Sequence, residues 1–317
     1  MKNVLDRLPR PFFVLAPMDD VTDTVFRQIV GECAPPDLYF TEFVNVDGLQ
    51  SPGRDKLLKK LRFSKKEKPI IAQLWGKDPE NYYKTARDLV EMGFDGIDIN
   101  LGCPDRAVIK NGCCIALINN RELTGEILQS VREGGSSLPL SVKTRLGLNE
   151  VDYTWHEFLL QQKLNMLTIH GRTAKQLSKV PADWSAIEHV RSLRDKLSPT
   201  TIIVGNGDIM SRTQGEELAK KHQLDGIMIG RGIFHDPFAF AHTSPWQKMS
   251  RNEKIDLYRK QVELFQQTWK ENERKVYTLN KFCKIYINDF DGAKELREEL
   301  MSCQTPEELL QLLNAPA

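Results

Sequence analysis

The chain has little net charge, no cysteine framework, no apolar signal core in its first residues and no long apolar run, and each scarcity excludes a class of protein. Formal net charge is +1, so bulk charge does not advertise a nucleic-acid partner; any polyanion surface must come from local clustering. Six cysteines (Cys33, Cys103, Cys113, Cys114, Cys283, Cys303) form no CxxC pair and no secreted-type spacing. That pattern is expected of reduced thiols in a cytoplasmic protein. The stretch Met1-Lys-Asn-Val-Leu-Asp-Arg7 has no apolar signal core. No segment approaches the ~18 uninterrupted apolar residues of a membrane-spanning helix. There is no low-complexity linker, no internal repeat, and no GxGxxG after the first apolar run, which argues against a doubly wound dinucleotide fold.

What is present is a rhythm. Short apolar runs at Phe12–Leu15, Leu38–Phe43, Pro69–Leu74, Gly96–Asn100, Leu140–Lys143, Met166–His170, Thr201–Gly205 and Gly226–Ile229 alternate with amphipathic segments. The runs are rich in Val, Ile and Leu and lack polar alternation, as expected of strands covered on both faces. Between them lie helical patterns such as Pro79–Met92, with proline at its start and Gly93 just past its end, and Leu123–Arg132. Eight strand-then-helix units over roughly 240 residues predict a closed parallel (β/α)8 TIM barrel. From about Ser244 onward the pattern is helical only, with Leu257, Val262, Phe265 and Trp269 on one stripe and Leu296, Leu300, Leu309 and Leu312 on others. We expect residues 1–243 to form the barrel and 244–317 a small all-helical domain.

In such a barrel the loops at the carboxyl ends of the strands build the active site. Those ends carry Ala16, Pro17 and Met18; Gln73; Asn100 and Cys103; Lys143 and Arg145; His170 and Arg172; Asn206, Gly207 and Asp208; Gly230 and Arg231. In Asp98-Ile-Asn-Leu-Gly-Cys-Pro104 a buried strand delivers one thiol into a loop, a placement suited to chemistry. Two consecutive final loops, Gly205-Asn-Gly-Asp-Ile209 and Gly230-Arg-Gly-Ile-Phe234, have the glycines and the cation that a phosphate site needs, although ordinary tight turns share those glycines. The Gln73 amide can pair with both donor and acceptor positions of a uracil-like or flavin edge. A lysine beside that edge, Lys143, would stabilise reduced flavin. His170 reads equally as a ligand or as a satisfied core histidine.

Taken together, Ala16-Pro-Met-Asp-Asp-Val-Thr-Asp23, Gln73-Leu-Trp-Gly76, Asp98-Ile-Asn-Leu-Gly-Cys-Pro104, Ser141-Val-Lys-Thr-Arg145, Thr168-Ile-His-Gly-Arg172, Gly205-Asn-Gly-Asp-Ile209 and Gly230-Arg-Gly232 resemble the tRNA-dihydrouridine synthases over almost the whole length. The tail sequence Lys281-Phe-Cys-Lys-Ile-Tyr286, then Gly292-Ala and Leu296-Arg, is similar too. The resemblance implies FMN-dependent, NADPH-driven reduction of the C5–C6 double bond of a D-loop uridine in tRNA. Hydride would go to C6, and Cys103 would protonate C5 as general acid, with its thiol near an ordinary pKa of ~8.5. FMN contacts carry over to Ala16, Pro17, Met18, Gln73, Lys143, His170, Asn206, Gly207, Asp208, Gly230 and Arg231, and Asn100 would touch flavin or uracil. The chain departs from the family at Asp20, where glycine is usual, at Cys113-Cys114-Ile115, where small residues and glycines are usual, and at Asp291, where proline is common.

Basic residues cluster at 54–68 and 246–284, and Arg106 and Lys110 follow the thiol. With Arg145, Arg172, Lys281 and Lys284 these are the expected tRNA contacts, and Tyr277 and Tyr286 would either stack on bases or pack in the core. No metal site is expected, because Cys113 and Cys114 lack histidine partners. A monomer is expected, with no membrane association. Two rival readings remain. A flavin barrel reductase of a small pyrimidine or enone would not need the basic segments. A tRNA-binding module without catalysis would not need Cys103, Gln73 and Lys143.

Overall fold

The computed structural model describes residues 3–136, 138–270 and 273–315. The chain ends, Met1–Lys2 of the leader reading and Pro316–Ala317 of the tail, lie outside the described residues. The strands are β1 (Phe12–Leu15), β2 (Tyr39–Phe40), β3 (Val44–Asn45), β4 (Ile70–Trp75), β5 (Gly96–Leu101), β6 (Leu140–Arg145), β7 (Met166–His170), β8 (Ile202–Asn206) and β9 (Gly226–Ile229). All pair in parallel in the order β1-β9-β8-β7-β6-β5-β4-β2, with β3 also on β4. A bridge between Val14 and Leu38 brings β1 beside the segment entering β2 and completes the ring of a TIM barrel.

Alternation along the strands divides the core. Phe12, Val14 and Ala16 pack with Leu38, Phe40, Ile71, Met166, Val204 and Met228 in one cluster. Phe13 and Leu15 belong to the larger cluster that includes the surrounding helices. Both faces are apolar because both are covered. The expected run Leu38–Phe43 is not one strand. It breaks into β2 and β3 at Thr41-Glu42, where Thr41 Oγ1 donates to its neighbour's carbonyl and Glu42 turns toward cations. The expected helix at Pro79 runs to Glu91, its first turn capped by Asp78, and Gly93 follows at φ +80°.

After β9 the described residues are helical, with helices Arg251–Thr268, Asn280–Tyr286, Ala293–Ser302 and Pro306–Leu313. Val262, Phe265, Trp269, Phe282, Cys283 and Tyr286 are buried and continuous with the outer barrel core, and Phe26 lies 4.7 Å from Phe282 between ring centroids. Polar contacts add to this seam. Arg274 reaches Glu42 (3.2 Å) and Asp23 (3.3 Å), Lys59 donates to Glu273 O, and Arg62 donates to Thr268 O. No helix of the described residues is long and apolar enough to cross a membrane.

Two of the expected tRNA contributors have partners within the protein. Much of the basic segment 54–68 is engaged within the protein, since Arg54 pairs with Asp88, Lys60 with Asp19 and Lys68 with Asp95. Tyr286 is fully buried and stacks on Tyr258 at 5.6 Å, so it is a core residue. Tyr277, in contrast, is 65 % exposed.

Candidate active site

The loop that follows β5 is held from two sides. The Asn100 side-chain oxygen accepts from the backbone N–H groups of Gly102 and Cys103, both at 3.0 Å. Arg145 Nε donates to Gly102 O at 2.9 Å. A Cβ on Gly102 would stand 3.3 Å from the Thr144 backbone, a tight contact that glycine avoids as the loop passes β6. Asp105 then caps the short helix Arg106–Lys110. Cys103 is half-buried at the start of this turn.

Behind the loop, a chain of side-chain hydrogen bonds crosses three strands. Asn100 Nδ2 donates to Gln73 Oε1 (3.1 Å), Gln73 Nε2 donates to Asp98 Oδ2 (2.7 Å), and Ser141 Oγ donates to Asp98 Oδ1 (2.6 Å). Parallel register explains the line-up, because Gln73 pairs with Asp98, Asp98 with Ser141, and Asn100 with Lys143. Asp98 is fully buried, and desolvation lifts its carboxyl to about 6 against the hydrogen bonds from Ser141 and Gln73. Desolvation likewise brings Lys143 down to about 8, helped by Arg145 and opposed by Asp98 and Cys103. The Cys103 thiol lies at about 7, below its ordinary value, chiefly through a hydrogen bond from Cys114. The shift is downward from the ordinary thiol value, with burial and the Asp105 carboxylate opposing it.

Next to Lys143 opens a cavity of about 520 Å³. Among the expected residues, Ala16, Pro17, Met18, Lys143, Arg145, His170, Arg172, Asn206, Gly207, Asp208, Gly230 and Arg231 line it. They come from the ends of β1, β6, β7, β8 and β9. Gln73 does not line it. It is fully buried, with its amide engaged by Asp98 and Asn100, and it meets the cavity only through this network. Asn100 and Cys103 also lie outside the lining, at the edge that Lys143 marks. Ser178, Met210 and His235 line the cavity although the strand-end reading missed them; they stand well past the strands, in loops whose path the sequence does not signal.

Arg145 and Arg172, expected to touch tRNA, are buried here. Arg145 donates to Gly102, Thr173 and Leu177 carbonyls, and Arg172 to Val180 O and Asp208. His170 Nε2 sits 3.1 Å from Arg172. Burial, then Lys143, Arg145 and Arg172, push His170 far below its ordinary pKa, so it is neutral and accepts from the guanidinium. Burial alone would raise Asp208, yet the hydrogen bonds of Arg172 and the Ala182 N–H keep its carboxyl below the usual range. Arg231 is 3.5 Å from Asp208 and its side chain is 61 % exposed. Arg106, Lys110, Lys281 and Lys284 are exposed, and Lys281 donates to Asp20 O.

The cavity thus combines one neutral imidazole, a perturbed lysine and a cationic rim over glycine turns. A model of the dihydrouridine synthase (Dus) family matches residues 14–317. The chain belongs to the dihydrouridine synthase family. It is 45 % identical over 316 residues to a "probable tRNA-dihydrouridine synthase" of Staphylococcus aureus (strain COL), covering 99 % of this chain and 95 % of the relative. It is 44 % identical over 317 residues to "probable tRNA-dihydrouridine synthase 2" of Bacillus subtilis (strain 168), at 99 % and 96 % coverage. As members of this family are oxidoreductases, the chain is an enzyme. Solved structures at 12–13 % identity share the barrel: morphinone reductase, with a TM-score of 0.53 over 74 % of this chain and 86 % of that one, and a 2-naphthoyl-CoA reductase, with 0.56 over 71 % and 48 %. Asp20 and Cys114 both have left-handed backbones here (φ +56° and +52°).

Proposed function

We propose that this enzyme reduces the C5–C6 double bond of a D-loop uridine in tRNA, with FMN as its bound cofactor and NADPH as reductant. The observation that carries this reading is the Cys103 loop, whose backbone Asn100 and Arg145 hold beside β6, where Lys143 lines the cavity.

The cavity fits the cofactor. Gly207 has φ +135°, and a Cβ there would meet Ala182 at 2.6 Å, so glycine keeps this turn tight, and Gly207 and Gly230 line the cavity beside Arg231, the cation a phosphate would need. Ala16, Pro17, Met18, Lys143 and His170 would hold the ring, with Gln73 and Asn100 supporting that edge from behind through their hydrogen-bond network. When bound, reduced FMN supplies the hydride that goes to C6. The target base is stacked within folded RNA and must be extruded to enter. Lys143 then faces the region where negative charge develops, and a largely desolvated cation acts most strongly there. Cys103 delivers its proton to C5, and its thiolate remains close to Arg145. Residues 1–243 are the catalytic unit in this reading, and residues 244–317 orient tRNA. Arg106 and Lys110 contact RNA beside the thiol, Lys281 and Lys284 contact it from the tail, and affinity falls with salt.

Positioned general acids contribute ~10²–10⁴-fold. Cys103→Ala is therefore expected to stay yellow with bound flavin while losing at least ~100-fold in dihydrouridine formed on tRNA lacking the modification. Reduction at the parent rate would end the assignment of Cys103. Equal activity on free uridine and on tRNA would favour a small-pyrimidine reductase instead.

A further inference from the structure

The tail carries a second cavity, of about 710 Å³, that the proposed function leaves without a task. It lies between the end of the helix Arg251–Thr268, the 3₁₀ turn Val276–Leu279 and the start of the helix Pro306–Leu313. It shares no lining residue with the active-site cavity. The two are nevertheless neighbours across one loop. Arg274 lines the tail cavity and pairs with Asp23 and Glu42, just beyond the carboxyl ends of β1 and β2. Met18, in the same loop as Asp23, lines the active site.

The lining divides by exposure. Phe265, Trp269 and Cys303 are buried, and the Trp269 Nε1 donor has no partner among the described residues. An unpaired buried donor is costly, so an occupant that brings an acceptor is favoured. Tyr277, Lys270 and Lys275 are exposed. Tyr277 is the most exposed large apolar side chain among the described residues. Its backbone is nevertheless fixed, because Thr278 N donates to Lys275 O at 3.0 Å and Leu279 is buried. Neither lysine forms a salt bridge among the described residues, in contrast to Arg274. The one acid of the described lining, Glu307, is engaged by Gln266. An open aromatic face, two cations without carboxylate partners and an unmet donor complement a nucleobase with its phosphates.

We propose that this cavity takes one unstacked base of the bound tRNA, a nucleotide other than the uridine being reduced, with the base against Tyr277 and its flanking phosphates on Lys270 and Lys275. The proposal rests on the reading of tRNA as the substrate. A base edge carries carbonyl or ring-nitrogen acceptors for Trp269 Nε1, and stacking on a tyrosine tolerates any base because each has a π face. The tail then grips folded RNA through a nucleotide outside its helices, beside the barrel end where the target uridine must enter. A dinucleotide reductant has similar chemistry, but its nicotinamide must reach the active-site cavity, which has none of these residues in its wall.

The test uses the flavin-loaded, full-length protein and tRNA lacking dihydrouridine, with binding read by filter retention at several salt concentrations. Tyr277 is exposed, so its variants keep the fold. Tyr277→Ala should weaken tRNA binding at least about 5-fold, and Tyr277→Phe, which keeps the stacking face, should stay within about 2-fold of the parent. The slope of log Kd against log salt should be unchanged in Tyr277→Ala and fall in magnitude by about one in Lys275→Ala, since only the lysine meets phosphate. Parent affinity in Tyr277→Ala would overturn the proposal. So would a raised KM for NADPH with tRNA affinity unchanged, which assigns the cavity to the dinucleotide. The two readings fail separately. An unchanged Tyr277→Ala beside an inactive Cys103→Ala removes the base pocket and leaves the proposed function intact. A fully active Cys103→Ala beside a Tyr277→Ala that has lost tRNA affinity ends the acid assignment and leaves the base pocket standing.

Discussion

The buried carboxylate of Asp98 offers the sharpest quantitative test of the site. It is fully buried, it is acceptor to Gln73 and Ser141, and Lys143 is the cation that favours its ionised form. Its pKa is raised from 3.8 to about 6. A carboxyl raised in this way binds its proton more tightly in the folded state. Between pH 3.8 and about 6 the folded protein holds the extra proton, so this group's contribution to stability falls as pH rises through that window. At ~1.36 kcal/mol per unit the change is about 3 kcal/mol. Asp98→Asn keeps the shape and an acceptor for Gln73 Nε2, and removes the ionisation. The variant's stability relative to the parent should therefore grow by about 2 kcal/mol between pH 4 and pH 7, the rest of the change lying below pH 4. Urea unfolding of both proteins at pH 4, 5, 6 and 7 measures it. The same variant should be a poorer enzyme at pH 7 and above. An amide can donate as well as accept, so it no longer forces the one-way chain from Cys103 N–H through Asn100 and Gln73. Lys143 also loses the anion that holds up its pKa. A stability difference that stays constant across the four pH values would refute the ionised, buried state assigned to Asp98.

Two further outcomes test other parts of the molecule. Lys143→Met should yield folded protein with less retained flavin or slower NADPH-dependent bleaching, both read by absorbance; unchanged flavin content and bleaching would remove Lys143 from the mechanism. Arg274→Met leaves the fully buried Glu42 and the buried Asp23 facing each other without their shared cation. Breaking such a pair costs about 3–5 kcal/mol, so the melting temperature should fall by several degrees, and an unchanged melt would show that the tail seam is held by its apolar contacts alone.

The barrel was legible because each strand is covered on both faces, and covered strands read as unbroken apolar runs. Where a polar residue was drawn inward by a distant partner, the reading failed. Glu42 ends one run early because Arg274, far along the chain, pairs with it. The strand-end rule found most of the cavity lining, since topology alone places those residues. It could not say which way a guanidinium faces. Arg145 and Arg172 look like RNA contacts by charge, yet their donors go to carbonyls that only the folded loops bring near.

The least legible feature is the line of polar side chains under the site. Gln73, Asp98, Asn100 and Ser141 stand on three separate strands, and nothing local marks them as partners. Register makes them neighbours. Once they are neighbours, chemistry fixes their orientation from both ends. Asn100 must offer its oxygen to the backbone N–H groups of Gly102 and Cys103, because a backbone N–H can only donate. Its nitrogen must then donate to Gln73 Oε1, and Gln73 must donate onward. The last acceptor has to be a group with no hydrogen to give, and an ionised carboxylate meets that condition. The same requirement explains why a buried acid with an unfavourable ionisation stands at this point in the barrel: it receives the line of hydrogen bonds that runs from the Cys103 backbone N–H through Asn100 and Gln73.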